Sequence, residues 1–121
     1  MKFAIIIAFL LFSNTNDLLL NRQDVSKAVS DIKCDSFGPL HIEYALLVTN
    51  DDIVFVAGSG EDVRFPIIPG LLAIIHTHPD KGFEKPSAQD IKTAHELCVP
   101  VYTISRGQVW EALPSGEIVQ K

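Results

Sequence analysis

The feature that most constrains this chain is an apolar run that ends in two histidines. Residues 71–75 are continuously apolar, which is typical of a strand covered on both faces of a sheet. The run leads directly into His76-Thr77-His78. Side chains on a strand alternate between its two faces, so His76 and His78 share one face. The sequence therefore predicts two imidazoles side by side where a buried strand ends.

A helix start follows these histidines after a short loop. In the segment 86–90, Ser87 can act as a helix N-cap, and Asp90 then lies in the first turn. The Ser87-x-x-Asp90 pair is also a variant of the capping box, and two histidines also occur at ordinary solvated strand ends. Taken together, two imidazoles and one carboxylate form a three-ligand set for a divalent metal. A fourth position is left for water, as in catalytic zinc sites.

These residues resemble the signature of the JAMM (MPN-plus, or Mov34/JAB) zinc metalloproteases. That signature is a glutamate, then His-Ser/Thr-His-Pro, then Ser-x-x-Asp. The matching positions are Glu43, the segment 76–79, Ser87 and Asp90. The resemblance covers residues 17–121 and extends to the similar RadC domain. It implies an α+β, cytidine-deaminase-like fold with a mixed sheet of about six strands flanked by two helices.

The chemistry of these residue types gives each one a role, and the resemblance implies the same roles. One Zn²⁺ per chain, held by His76, His78 and Asp90, would lower the pKa of its water toward 7. Glu43 is the candidate general base and general acid. Ser87 could donate a hydrogen bond to the oxyanion of the tetrahedral intermediate. Zinc suits this set better than magnesium or calcium, which favour all-oxygen ligands.

Four further residues have side chains that could act as acids, metal ligands or thiols. Glu61 lies in a Gly-rich turn and is a rival acid, although its polar neighbours indicate simple exposure. His95 is expected to be a partly buried core histidine rather than a fourth ligand, because it lies more than a turn beyond Asp90. Cys98 falls on the apolar stripe of the same helix, so a buried thiol is expected. The sequence is also compatible with a disulfide between Cys34 and Cys98.

Hydrophobic periodicity predicts the remaining elements. Apolar residues recur at helical spacing from Val25 to Ile32, after a predicted cap at Asn21 and before a stop at 36–39. Strands are predicted at 41–49, 53–57, 71–75, 99–104, 108–112 and 118–119, with a further candidate at 18–20. Two helices and about six strands make the chain α+β by pattern alone.

Residues 1–16 differ from the rest of the chain. Lys2 precedes ten apolar residues, 3–12, a length typical of a signal-peptide core and too short for a membrane span. A small-residue cleavage site is missing, and a buried first strand is the other interpretation. The pattern slightly favours a signal or anchor, hence a secreted or membrane-associated protein over a cytoplasmic one. We assign residues 17–121 to one domain.

Charge and composition limit the partners. The formal net charge is −5 at pH 7 without a basic patch, so nucleic acid is not an expected partner. The expected substrate is a protein or peptide, and a partner protein that completes the substrate groove is compatible with the size of the chain. The JAMM resemblance implies peptide or isopeptide hydrolysis, with ubiquitin-like tails as substrates, whereas export would favour a cell-wall peptide. The alternative is a non-catalytic binding module of MPN or RadC type.

Overall fold

The computed structural model describes residues 18–38, 42–58, 66–79 and 84–121. These residues form three helices and one six-stranded sheet, so the chain is α+β, as predicted. In chain order the elements are α1 (18–21), α2 (Gln23–Ser36), β1 (Tyr44–Val48), β2 (Ile53–Ala57), β3 (Ala73–Thr77), α3 (Ala88–Leu97), β4 (Val101–Ser105), β5 (Gln108–Ala112) and β6 (Ile118–Gln120).

The sheet is mixed, with the strand order β2-β1-β3-β4-β5-β6. β3 and β4 run parallel, and all other neighbouring pairs are antiparallel. Parallel neighbours require a crossover connection, and α3 lies within this one. Because β1 is antiparallel to β3, the start of β1 lies at the same end of the sheet as the end of β3. Ala45 pairs with His76 at that end.

The sheet has a hydrophobic core on each face. On one face, α2 packs Val25, Ala28 and Ile32 against the strands. On the other, Ala94 of α3 packs with Ile74 and its neighbours. The inner strands are apolar on both faces for this reason, and every residue of β3 and β4 is buried. The buried strand predicted at 71–75 is confirmed for residues 73–75, whereas Leu72 precedes β3 and is exposed.

The start of the first long helix differs from the prediction. Residues 18–20 are helical, so the strand predicted there is wrong. Asn21 does not cap the following helix, because the N-cap position is Arg22, which makes no side-chain capping bond. Arg22 instead pairs with Asp24 at 2.6 Å and donates to the Thr49 carbonyl at 2.7 Å. A capping rule that considers only neighbouring residues in the sequence cannot predict this long-range contact.

The strand predictions differ mainly at their ends. The predicted strand 41–49 shortens to Tyr44–Val48, and the predicted strand 71–75 shifts to Ala73–Thr77. The strands predicted at 53–57 and 108–112 have the observed bounds. Strand pairing sets these ends, since a residue belongs to a strand only where a neighbouring strand can bond it.

The two cysteines and His95 occupy the surface. Both Cys34 and Cys98 are free and exposed, so the prediction of a buried Cys98 thiol is wrong. Cys98 ends α3 in the left-handed conformation with φ 56°, which turns its side chain off the helical stripe. His95 is also exposed rather than partly buried, with its Nδ1 3.0 Å from the Pro114 carbonyl oxygen.

Two sequence predictions lie outside the described residues. These are the signal-peptide or first-strand interpretation of residues 1–16 and the rival acid Glu61. Within the described ranges, none of the helices combines the length and apolar character needed to cross a bilayer.

Replacing Cys98 by glycine should stabilise the fold. A residue with a Cβ is disfavoured in the left-handed region by about 1 kcal/mol, whereas glycine adopts it freely. The greater conformational entropy of glycine in the unfolded chain offsets part of this gain. We expect Cys98→Gly to raise the free energy of unfolding in urea by about 0.5 kcal/mol. The matched control is Cys98→Ala, which also removes the thiol but keeps the Cβ. A glycine variant no more stable than the alanine variant would contradict the prediction.

Candidate metal centre

Four polar side chains meet where β3 ends and β1 begins. His76 belongs to β3, and His78 follows it on the same face, as the alternation rule predicts. Glu43 immediately precedes β1, and the antiparallel register brings it to this end of the sheet. Asp90 lies in the first turn of α3, at the end of the crossover from β3. Each side chain is only 10–12% exposed.

Asp90 contacts both histidines. Its Oδ1 lies 2.9 Å from His76 Nε2, and its Oδ2 lies 3.5 Å from His78 Nε2. The two imidazole rings are nearly perpendicular, at 84°, with centroids 4.6 Å apart. One carboxylate therefore contacts both imidazoles, each through a different oxygen.

Glu43 approaches His76 from its other nitrogen. Glu43 Oε1 lies 3.7 Å from His76 Nδ1. One ligand atom each from Glu43, His76 and His78 can be chosen so that all three lie within 4.8 Å of one another. These three residues form a group that could hold a metal ion. The sequence placed Glu43 at this centre as a general base, whereas the geometry is also compatible with a ligand role.

Ser87 acts as the N-cap of α3, as predicted. Its hydroxyl oxygen accepts the Asp90 N–H at 3.1 Å, and its own N–H donates to Asp90 Oδ2 at 2.8 Å. This reciprocal pair is a capping box in which aspartate takes the third position. The capping interpretation of Ser87-x-x-Asp90 is thus confirmed, and the same bonds orient the Asp90 carboxylate toward the histidines. The oxyanion role of Ser87 stays a prediction.

Sequence reasoning missed two buried hydroxyls around the centre. Thr103 on β4 is cross-strand from His76, and its Oγ1 lies 3.4 Å from His76 Nε2. Ser36 at the end of α2 bonds Thr77 Oγ1 from the opposite face at 2.7 Å. No local pattern marks either residue, because only the sheet pairing brings Thr103 to His76, and only the packing of α2 brings Ser36 to Thr77.

The contacts between carboxylates and imidazoles shift the pKa values of His76 and Asp90. Burial alone would lower the pKa of His76, but the Asp90 and Glu43 carboxylates outweigh burial and raise it to about 9. Burial opposes ionisation of Asp90 as well, yet its contacts with His76, the Ser87 N–H and His78 lower its pKa overall. Without a metal, His76 and Asp90 thus form a buried ion pair at neutral pH.

The metal-free protein should lose stability as the pH rises above neutrality. The pKa of His76 is about 9 when folded and 6.5 when unfolded, so its contribution is complete below pH 6.5 and disappears as the pH passes 9. We expect the free energy of unfolding to fall by up to about 3 kcal/mol across this window. Urea unfolding with a chelator present measures it. His76→Gln should flatten the curve, and an equal slope in that variant would contradict the assignment.

Comparison with known proteins gives no match for this chain. Neither the protein-family models nor the curated proteins nor the solved structures include a significant match to its sequence or fold. The resemblance to the JAMM metalloproteases therefore rests on the motif residues of the sequence itself.

Proposed function

We propose that this chain is a zinc-dependent hydrolase that cleaves a peptide or isopeptide bond. The observation that supports it best is the convergence of His76, His78, Asp90 and Glu43 at one end of the sheet. Burying two carboxylates beside two imidazoles without an ion or proton between them is costly. The JAMM-like order of these residues in the sequence gives the site its reaction class.

The donor set fits zinc. Two imidazole nitrogens with carboxylate oxygens suit zinc, whereas magnesium and calcium prefer oxygen ligands throughout. Ligand atoms of a tetrahedral zinc site lie about 3.4 Å apart, given metal–ligand distances near 2.1 Å. Asp90 approaches both histidines within this range, but through different oxygens, with Oδ1 2.9 Å from His76 Nε2 and Oδ2 3.5 Å from His78 Nε2. We therefore propose His76, His78 and Asp90 as the ligands, with Glu43 beside them.

Glu43 is proposed to move the proton. A bound Zn²⁺ supplies two things, a lowered pKa for a water ligand and polarisation of the scissile carbonyl. Glu43 lies on the Nδ1 side of His76 and is 12% exposed, so its carboxylate is enclosed yet accessible. It would accept a proton from the attacking water and return it to the leaving amine nitrogen as the C–N bond breaks.

Ser87 is proposed to stabilise the negative charge that develops on the carbonyl oxygen. Its hydroxyl oxygen accepts the Asp90 N–H, which leaves the hydroxyl hydrogen to donate. Ser87 also sits at the N-terminus of α3, where the helix dipole favours negative charge. Both properties suit an oxyanion donor.

The substrate class follows from the resemblance. A peptide or protein substrate is proposed, either a ubiquitin-like tail or, if the protein is exported, a cell-wall peptide. The alternative, a binding module without catalysis, would keep the fold without needing the acid at Glu43.

Glu43→Gln should abolish hydrolysis in protein that is kept saturated with zinc, even though the substitution weakens zinc binding. The amide is nearly isosteric with the carboxylate but accepts no proton at neutral pH, so we expect the rate to fall by about 10²–10⁴-fold. The measurement pairs zinc content with cleavage of fluorogenic peptides and of a ubiquitin-like isopeptide conjugate. A variant that binds no zinc even at saturating zinc concentrations would show that Glu43 is a ligand.

His78→Ala is the matched control for the same assay. This variant should lose zinc and hydrolysis together while remaining folded, because His78 lies at the strand end rather than in the core. A zinc-loaded wild type that cleaves neither substrate class would contradict the hydrolase proposal and favour the binding module.

A further inference from the structure

The β1–β3 pairing stops just before the candidate centre. Its last registered pair is Ala45 with His76, so Glu43 and Tyr44 lie beyond this ladder. On its other side, the Glu43 carbonyl accepts the Gly58 N–H at 2.7 Å, which ties Glu43 to the β2 side of the sheet. Neither pairing therefore fixes the position of Glu43 relative to His76 and His78.

Two buried hydroxyls link the backbone beside Glu43 to β3. Thr77 lies between the two histidines in sequence, but its side chain points to the opposite face, where Ser36 ends α2. Thr77 Oγ1 accepts the Tyr44 N–H at 3.0 Å. Ser36 Oγ donates to the Ile42 carbonyl at 2.5 Å and lies 2.7 Å from Thr77 Oγ1. Both hydroxyl residues are 0% exposed.

The direction of this chain of bonds follows from counting hydrogens. A serine hydroxyl has one hydrogen, and that of Ser36 goes to the Ile42 carbonyl. Thr77 must then donate to Ser36. The bonds therefore run from Tyr44 N–H to Thr77 O–H, then to Ser36 O–H, and end at the Ile42 carbonyl. Bonds aligned in this way polarise and strengthen one another.

We propose that Ser36 and Thr77 form a hydroxyl clamp that positions Glu43 against His76. The clamp binds the backbone groups on either side of Glu43, the Ile42 carbonyl and the Tyr44 N–H, and anchors both to the residue between the two histidines. Ser36 and Thr77 are thus positioning residues that act from the face opposite the centre. This inference rests on the proposed metal centre and adds the residues that align its acid.

The consequence for the centre is a fixed approach of Glu43 to His76. Their closest atoms, Oε1 and Nδ1, are 3.7 Å apart, so a small backbone shift would take the carboxylate out of range. A carboxylate beside the second nitrogen of a ligating histidine orients the ring and raises its basicity, and losing such a partner weakens metal binding about 10–100-fold. Releasing the clamp should therefore weaken metal binding through Glu43.

The test measures Co²⁺ affinity in a double-mutant cycle. Thr77→Val keeps the side-chain shape but removes the hydroxyl, and Ser36→Ala removes the other hydroxyl with a smaller change. Each should weaken Co²⁺ binding about tenfold in the otherwise wild-type chain and have no effect in a Glu43→Gln chain. Thr77→Ser, which keeps the hydroxyl, should restore wild-type affinity.

Ile32→Val is the control for stability. It removes one methylene from the packing of α2 against the sheet without touching either hydroxyl, so it should destabilise the fold and leave Co²⁺ affinity unchanged. If Thr77→Val fails to fold, Ser36→Ala alone completes the cycle.

Co²⁺ affinity and hydrolysis together distinguish a failure of the clamp from a failure of the proposed function. Equal losses of affinity with and without the Glu43 carboxylate, or a wild type that binds no Co²⁺, would overturn the clamp. If the clamp substitutions weaken Co²⁺ binding only when the Glu43 carboxylate is present, but the chain hydrolyses neither substrate class, the clamp is upheld and the hydrolase proposal is rejected.

Discussion

The antiparallel register of β1 on β3 is the constraint on which the candidate centre depends. Pairing Ala45 with His76 brings the start of one strand beside the end of the other, so Glu43 reaches residues more than thirty positions away. A register shift of one residue would turn the side chain of Glu43 to the α2 face. The apolar pairs on both faces of β1 and β3 oppose that shift, since it would move buried side chains between two different cores.

Electrostatics set the second requirement. Buried carboxylates are tolerated only when a cation or hydrogen-bond donors compensate the lost hydration. Asp90 has the Ser87 N–H and two imidazoles, and protonated His76 supplies positive charge without a metal. A divalent ion would replace that proton and satisfy the same oxygens, so metal affinity should rise with pH. The same geometry is thus compatible with both a metal-free fold and the proposed metal-loaded one.

Local patterns predicted the parts of this structure that depend on neighbours in sequence. The alternation of His76 and His78, the capping box at Ser87 and the helical stripe of α2 need only periodicity and cap chemistry. The failures have long-range or conformational causes. Asn21, the predicted cap, belongs to α1, and Arg22 takes the N-cap position without a capping bond while its side chain donates to the Thr49 carbonyl. Cys98 is exposed because α3 ends at it in a left-handed turn. Ser36 could not be found from sequence, since only the packing of α2 brings it to Thr77.

The central claim is that His76, His78 and a carboxylate bind one zinc ion, and X-ray absorption at the zinc edge tests it most directly. Purified protein loaded with zinc should contain one ion per chain. Its spectrum should show nitrogen and oxygen ligands at about 2.0–2.2 Å, including two imidazoles and no sulfur. Sulfur at about 2.3 Å would place the ion on Cys34 or Cys98, and a chain that retains no zinc would leave the buried ion pair as a purely structural feature.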